Sequence, residues 1–145
     1  MGMYTGLRVK VTVKEEYRSM INQINGGAGW SEFSEEFPFL SNYALQTRAG
    51  LIPNGSLSYM PSSWATGEYP NETPTDGFDT KIDMDTGYWT FQCSLKNYEG
   101  EIEQFFSDVL VNIISDSEHI EYFYEDWDES KYYEFVDGTI KLKSE

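Results

Sequence analysis

The single histidine and the single cysteine of this chain are the first candidates for chemistry, because an imidazole can activate a thiol as a nucleophile. His119 and Cys93 could form such a pair only if their strands were neighbours, and neither lies in a recognisable catalytic motif. Cys93 lies in an aromatic-rich extended run and is more typical of a small buried residue. We therefore expect no catalytic residues and no enzymatic activity.

Carboxylates near a predicted hairpin are the next candidates, because oxygen ligands suit calcium. Counted from Asp83, a helix–loop–helix calcium loop requires glycine at position six and glutamate at position twelve, but here Gly87 stands at five and Ser94 at twelve. A weak divalent site among so many acids stays open. The glycine run 26–29 lacks both the dinucleotide fingerprint and the phosphate-binding lysine. We therefore expect no metal site and no cofactor.

Negative charge is the dominant chemical property of the sequence. Between residues 19 and 130, twenty acidic residues stand against three basic ones, a formal charge of −17, whereas the whole chain carries −15. This exceeds the magnitude of about 2 to 8 that suffices for solubility in a small domain. Such a field repels nucleic acid and anionic membranes and attracts basic protein surfaces. Solubility alone remains the simpler interpretation of the charge.

Acidic and aromatic residues alternate most densely over 121–129, which predicts a binding surface that combines electrostatic steering with a desolvated anchor. A helix flank with carboxylates about one turn apart could imitate the phosphates of a nucleic-acid strand. Two residues of a long loop could add anchoring side chains. The predicted partner-binding residues are Glu121, Tyr124, Glu125, Asp126, Trp127, Asp128, Glu129, Glu99, Glu103, Tyr59 and Trp64.

Direct nucleic-acid binding is disfavoured because phosphate contacts require clustered cations. The one such cluster is Arg8, Lys10, Lys14 and Arg18, and neighbouring glutamates dilute it. No apolar run approaches the roughly 20 residues that cross a bilayer, and the amino terminus lacks a signal peptide. We expect a cytoplasmic protein that binds neither nucleic acid nor membrane directly and that is a monomer or a small homo-oligomer.

The elements that must position these residues are predicted by periodicity. Alternation with β-branched and aromatic residues predicts strands over 4–14, 78–84, 88–95, 118–125, 131–136 and 139–143. Residues 15–24 predict a short helix. Apolar residues at helical spacing predict one long amphipathic helix over about 98–114, with Asn97 as its N-cap.

These elements indicate a single α+β domain over 1–145, with residues 1–2 as a possible cloning remnant. It has one mixed or mainly antiparallel sheet with the long helix and one or two shorter N-terminal helices packed on one face. Residues 50–74 hold four of the five prolines and predict a long loop. Its large side chains could fold back over the open sheet face.

The leading hypothesis is an acidic protein-binding module that inhibits or masks a basic partner that handles nucleic acid. A phage or mobile-element inhibitor of a nuclease or CRISPR effector (an anti-CRISPR) and an immunity protein for a nuclease toxin share this physics. A small-molecule-binding or enzymatic domain is the alternative, with a pocket under the 50–74 loop lined by Tyr59, Trp64 and Trp89. A self-assembling phage accessory protein with an exposed edge strand is a third.

Overall fold

A six-stranded antiparallel sheet forms the centre of the computed structural model, which describes residues 3–55, 60, 64 and 77–143. The spatial order of its strands is β2-β3-β1-β4-β5-β6. Each of the six predicted strands has a counterpart in this sheet, but the predicted strand over 78–84 is reduced to two residues and the one over 118–125 begins four residues earlier. The strands are β1 (Thr5–Val13), β2 (Lys81–Ile82), β3 (Tyr88–Leu95), β4 (Ile114–Tyr124), β5 (Lys131–Val136) and β6 (Thr139–Leu142).

One face of the sheet forms the hydrophobic core because alternate residues of neighbouring strands point to the same side. Val9 of β1 lies opposite Phe91 of β3 and Ile120 of β4, and all three are at most 1% exposed. Short helices cover this face. The five largest fully buried side chains are aromatic, and three of them, Trp30, Tyr43 and Phe105, are in mutual ring contact.

The helices before the loop are all short. The predicted helix over 15–24 is a 3-10 turn, Glu15–Tyr17, followed by α1 (Arg18–Asn25), which buries Met20, Ile21 and Ile24. Further 3-10 turns and two single-turn helices follow. They are the 3-10 turns Trp30–Phe33 and Pro38–Leu40 and the helices α2 (Ser41–Ala44) and α3 (Leu51–Asn54).

The long amphipathic helix predicted over about 98–114 is wrong in length and regularity. α4 (Glu101–Gln104), a π-helical segment (Phe105–Leu110) and α5 (Val111–Ile113) follow without a break and total 13 residues. Gly100 has a φ of 72°, a left-handed conformation that begins the helix late, and β4 starts at once at Ile114. The apolar stripe is buried as expected, but Tyr98 is 60% exposed.

Aromatic side chains cover part of the opposite face of the sheet. Trp64 is 3% exposed, with its ring centroid 6.1 Å from that of Phe123, and the guanidinium of Arg8 lies over it and over Phe78. Gly6 permits this contact, because a Cβ there would lie 2.8 Å from the Trp64 ring. The chain is therefore an α+β protein with short helices on one face of an antiparallel sheet. Among the described residues, every helix falls short of the length and apolar character that a membrane span requires.

Candidate protein-binding surface

The turn between β4 and β5 carries one half-buried tryptophan among four carboxylates. The ring centroid of Trp127 lies 5.7 Å from that of Tyr122 and 6.0 Å from that of Tyr124. Both tyrosines lie on the same face of β4 because side chains alternate along a strand. All four tryptophans of the chain lie in its described part, and the other three are at most 3% exposed. Trp127 is therefore the tryptophan that a partner can reach.

Hydrogen bonds fix both ends of this turn. At its start, the backbone N–H of Glu125 donates to the carbonyl of Tyr4 at 3.0 Å, and the N–H of Tyr4 donates to the Glu125 carboxylate. At its end, the hydroxyl of Ser130 donates to Glu121 at 2.5 Å. A surface that is already ordered loses less conformational entropy on binding. The turn thus presents its charges in fixed positions.

The outer carboxylates of the turn are not neutralised. Asp126, Asp128 and Glu129 are exposed, and among the described residues none of them forms an ion pair. The nearest cation in the sequence, Lys131, lies over the Trp127 ring with its ammonium 4.8 Å from the centroid. These carboxylates therefore project an attractive field toward cations, which physiological salt screens over about 8 Å.

Glu121, which the sequence placed on the same surface, is instead 6% exposed. It lies opposite Arg8 in the sheet, with Nη1 of Arg8 4.0 Å from its Oε1, and Nε2 of His119 is 2.8 Å from the same oxygen. Desolvation raises the pKa of Glu121. Hydrogen bonds from His119 and Ser130, with the positive charges nearby, outweigh that effect and hold the pKa below its ordinary value. Glu121 supports the turn from inside and does not face a partner.

The predicted row of helix carboxylates divides between two locations. Glu103 is exposed and accepts hydrogen bonds from the hydroxyl of Tyr122 at 2.6 Å and from Asn97 at 2.7 Å. Burial and this carboxylate raise the pKa of the Tyr122 hydroxyl, so it remains a donor. Glu99 precedes the helix and contacts Thr47 instead. The structure thus joins Glu103, through Tyr122, to Trp127, and leaves Glu99 apart.

Glu101 is a second acid, besides Glu121, whose inward position the sequence did not predict. Glu101 is fully buried and lies 3.4 Å from the guanidinium of Arg48. The sequence around Glu101 did not indicate burial, because the contact that holds it there comes from Arg48, 53 positions away. Glu101 therefore contributes to internal pairing and does not add to the exposed acidic row.

Of the two loop residues predicted at the site, Tyr59 lies outside the described residues and Trp64 covers the sheet face opposite the helices. Trp89 lies on the helix side, opposite Val11, and is fully buried. The two tryptophans are on opposite faces of the sheet and cannot line one pocket, as the small-molecule hypothesis required. Cys93 also faces the helices, where burial raises the pKa of its thiol, whereas His119 pairs with Glu121 on the other face.

Two grooves were not predicted from the sequence. The first has a volume of about 820 Å³, lies beside the His119–Glu121 pair and is lined by Ser130, Tyr132 and Lys143 among others. The second, of about 360 Å³, lies between the helix and the β5–β6 hairpin, where Phe106, Tyr133 and Ile140 form its walls. Glu103 is at the edge of this second groove, so it adjoins the surface around Trp127.

Neither metal chemistry nor a known relative identifies this surface further. Among residues 3–55, 60, 64 and 77–143, no group of three or more histidine, cysteine, aspartate or glutamate side chains is arranged to hold a metal ion. Comparison with models of protein families, with curated proteins and with solved structures gave no match.

Proposed function

We propose that this chain is an acidic protein-binding module that inhibits or masks a basic partner that handles nucleic acid. The observation that carries the proposal is the turn between β4 and β5, in which the accessible Trp127 is held among exposed, unpaired carboxylates. Such a surface attracts a cationic protein from a distance and offers an aromatic anchor at contact. Tyr122, Tyr124 and Glu103 extend it onto the neighbouring strand and helix.

The biological setting that we propose is defence or counter-defence. A phage or mobile-element protein that blocks a nuclease or CRISPR effector would present its carboxylates where the effector expects phosphates. An immunity protein would cover the cationic substrate cleft of a nuclease toxin in the same way. Both are inhibitors whose target normally binds nucleic acid, so both predict that nucleic acid competes with this chain for the target.

The test is a pair of triple variants with equal net charge. One carries Asp126→Lys, Asp128→Lys and Glu129→Lys in the turn. The control carries Glu15→Lys, Glu16→Lys and Glu35→Lys, all exposed. Glu15 and Glu16 follow the far end of β1, whose first residue lies beside Tyr124. The nine residues of β1 separate Glu15 and Glu16 from the turn by roughly 30 Å. Glu35 belongs to the same end of the molecule, because the nearby Phe37 ring lies 5.1 Å from that of Tyr17.

We expect the turn variant to weaken capture of basic nucleic-acid-binding proteins close to tenfold, since three charges at roughly 0.5 kcal/mol each give about 1.5 kcal/mol. The control should retain most of the affinity. Capture by the wild-type protein should fall as the salt concentration rises and when an oligonucleotide is added as a competitor. Equal losses in the two variants would attribute binding to net charge alone, and absence of any basic protein at low salt would contradict the proposal.

A second candidate function, binding of a small molecule, is favoured by the groove beside His119. That groove combines substantial volume with a histidine held by a buried carboxylate, an arrangement that is common at ligand sites. Because His119 is the single histidine, its ring gives one Hε1 signal in proton NMR. A ligand from a compound library that raises the melting temperature should also shift that signal. A stabilising ligand that leaves the signal unmoved would place the site elsewhere.

A further inference from the structure

The protein's own cations repeatedly lie on aromatic rings. Among the described residues, five of them do so, at centroid distances between 3.8 and 5.8 Å: Arg8, Lys10, Arg48, Lys96 and Lys131. The ring faces carry negative electrostatic potential, which attracts ammonium and guanidinium groups. This arrangement places cations on rings while the exposed carboxylates of the turn stay unpaired.

Lys131 differs from the other four because its ring belongs to the accessible tryptophan. Its ammonium lies 4.8 Å from the centroid of Trp127, and Lys131 is itself exposed. Tyr122 and Tyr124 flank the same indole, at interplanar angles of 37° and 64°. An exposed lysine gives up such a contact at little cost, since water solvates the released ammonium fully. The indole can therefore exchange this cation for another.

We infer that Trp127, with Tyr122 and Tyr124, is a binding site for one lysine or arginine side chain of the partner, and that Lys131 occupies this site in the free protein. The inference rests on the proposed function and specifies its central contact. The ligand class is an ammonium or guanidinium group. Arginine binds better than lysine, because its planar guanidinium stacks on aromatic faces and is more weakly hydrated. The carboxylates of the turn exclude anionic groups.

The experiment follows the four indole N–H signals in ¹⁵N-correlated NMR spectra during titration with N-acetyl-arginine amide, at constant ionic strength. N-acetyl-lysine amide is a second probe, and the uncharged N-acetyl-norleucine amide is the control. We expect the Trp127 signal to shift with arginine and less with lysine, while the three buried indoles stay in place. An equally large shift with the norleucine amide would overturn the inference, because the site would then recognise apolar side chains and not cations.

The occupancy by Lys131 is tested by Lys131→Met, which should tighten arginine amide binding two- to fivefold. Lys14→Met is the matched control, because it removes the same charge from an exposed residue that directly follows the far end of β1. Equal tightening in both variants, or weaker binding in Lys131→Met, would show that Lys131 does not compete.

Failure of this inference is distinguishable from failure of the proposed function. If Trp127→Leu leaves the three buried indole signals unmoved, its fold is intact and its partner capture can be compared with that of the wild type. Capture that survives Trp127→Leu but not the triple charge reversal in the turn would refute the cation site and keep the proposed function. Capture that survives both changes would refute both.

Discussion

Removing Arg8 from its buried pair with Glu121 is expected to destabilise the protein strongly. Both side chains are 8% exposed, and they lie directly opposite each other on β1 and β4. A buried charge that loses its partner costs about 3–5 kcal/mol. Glu121 keeps its hydrogen bonds from Ser130 and His119, so we expect Arg8→Met to lower the free energy of unfolding by about 3 kcal/mol, the lower end of that range.

The assay is urea denaturation at pH 7, followed by the fluorescence of the buried tryptophans. Glu121→Gln and the double variant complete a thermodynamic cycle with Arg8→Met. The double variant should cost less than the sum of the single variants, with a coupling energy of about 0.5–3 kcal/mol, because the second change removes a charge that the first one left unpaired. Lys14→Met is an exposed control that should stay within about 0.5 kcal/mol of the wild type.

Two results would refute this reasoning. A loss below about 1 kcal/mol for Arg8→Met would mean that water or another group solvates Glu121. Strict additivity of the single variants would mean that their effects are packing losses without electrostatic coupling. If the cycle supports the pair, Glu121→Gln should also weaken partner binding. The reason is that the hydroxyl of Ser130 holds the end of the acidic turn through Glu121.

Glu121, Gly6 and Cys93 each give a further test of how the sheet is packed. Because the folded pKa of Glu121 is lowered, its contribution to stability is present above about pH 4.3, the ordinary glutamate value, and is lost as pH falls through the folded pKa. Thermal melts from pH 7 to 3 should therefore show a steeper loss for wild type than for Glu121→Gln, and parallel losses would contradict this. Gly6→Ala places a Cβ against Sδ of Met60 and 2.8 Å from the Trp64 ring, so it should cost about 1–3 kcal/mol in denaturation; an unchanged stability would mean that these residues do not cover the sheet. The thiol of Cys93 is fully buried and its pKa is raised, so a thiol reagent at pH 8 should modify it only after denaturation, and rapid reaction of the folded protein would contradict its placement.

Local patterns predicted the strands because their signal lies in neighbouring residues. The alternation of Val9, Val11 and Val13 with polar residues fixes which side of β1 is buried, and the structure confirms that face. The turn residues before Tyr88 likewise predicted the β2–β3 hairpin, which is confirmed. The helical stripe was also recognisable, although its length was wrong because Gly100 adopts a left-handed conformation that side-chain periodicity does not reveal.

The candidate surface was predicted in part. Most of the residues proposed between 121 and 129 lie together in one turn with Trp127 at its centre, but their function stays a prediction. Glu121 was placed on the surface by its neighbours in the sequence, and the structure buries it against Arg8. Trp64 was proposed both as an anchor and as a cover for the open sheet face, and it covers that face.

The sequence by itself determined the sign and size of the charge and the periodicity of the main elements, since both depend on residue types and their local order. Only the tertiary structure decided which acids are free and which aromatic rings are accessible. Asp126 and Glu121 are chemically alike and five residues apart, yet one is exposed and the other is buried. The register between β1 and β4 makes that difference, because it brings Arg8 opposite Glu121 from more than a hundred residues away.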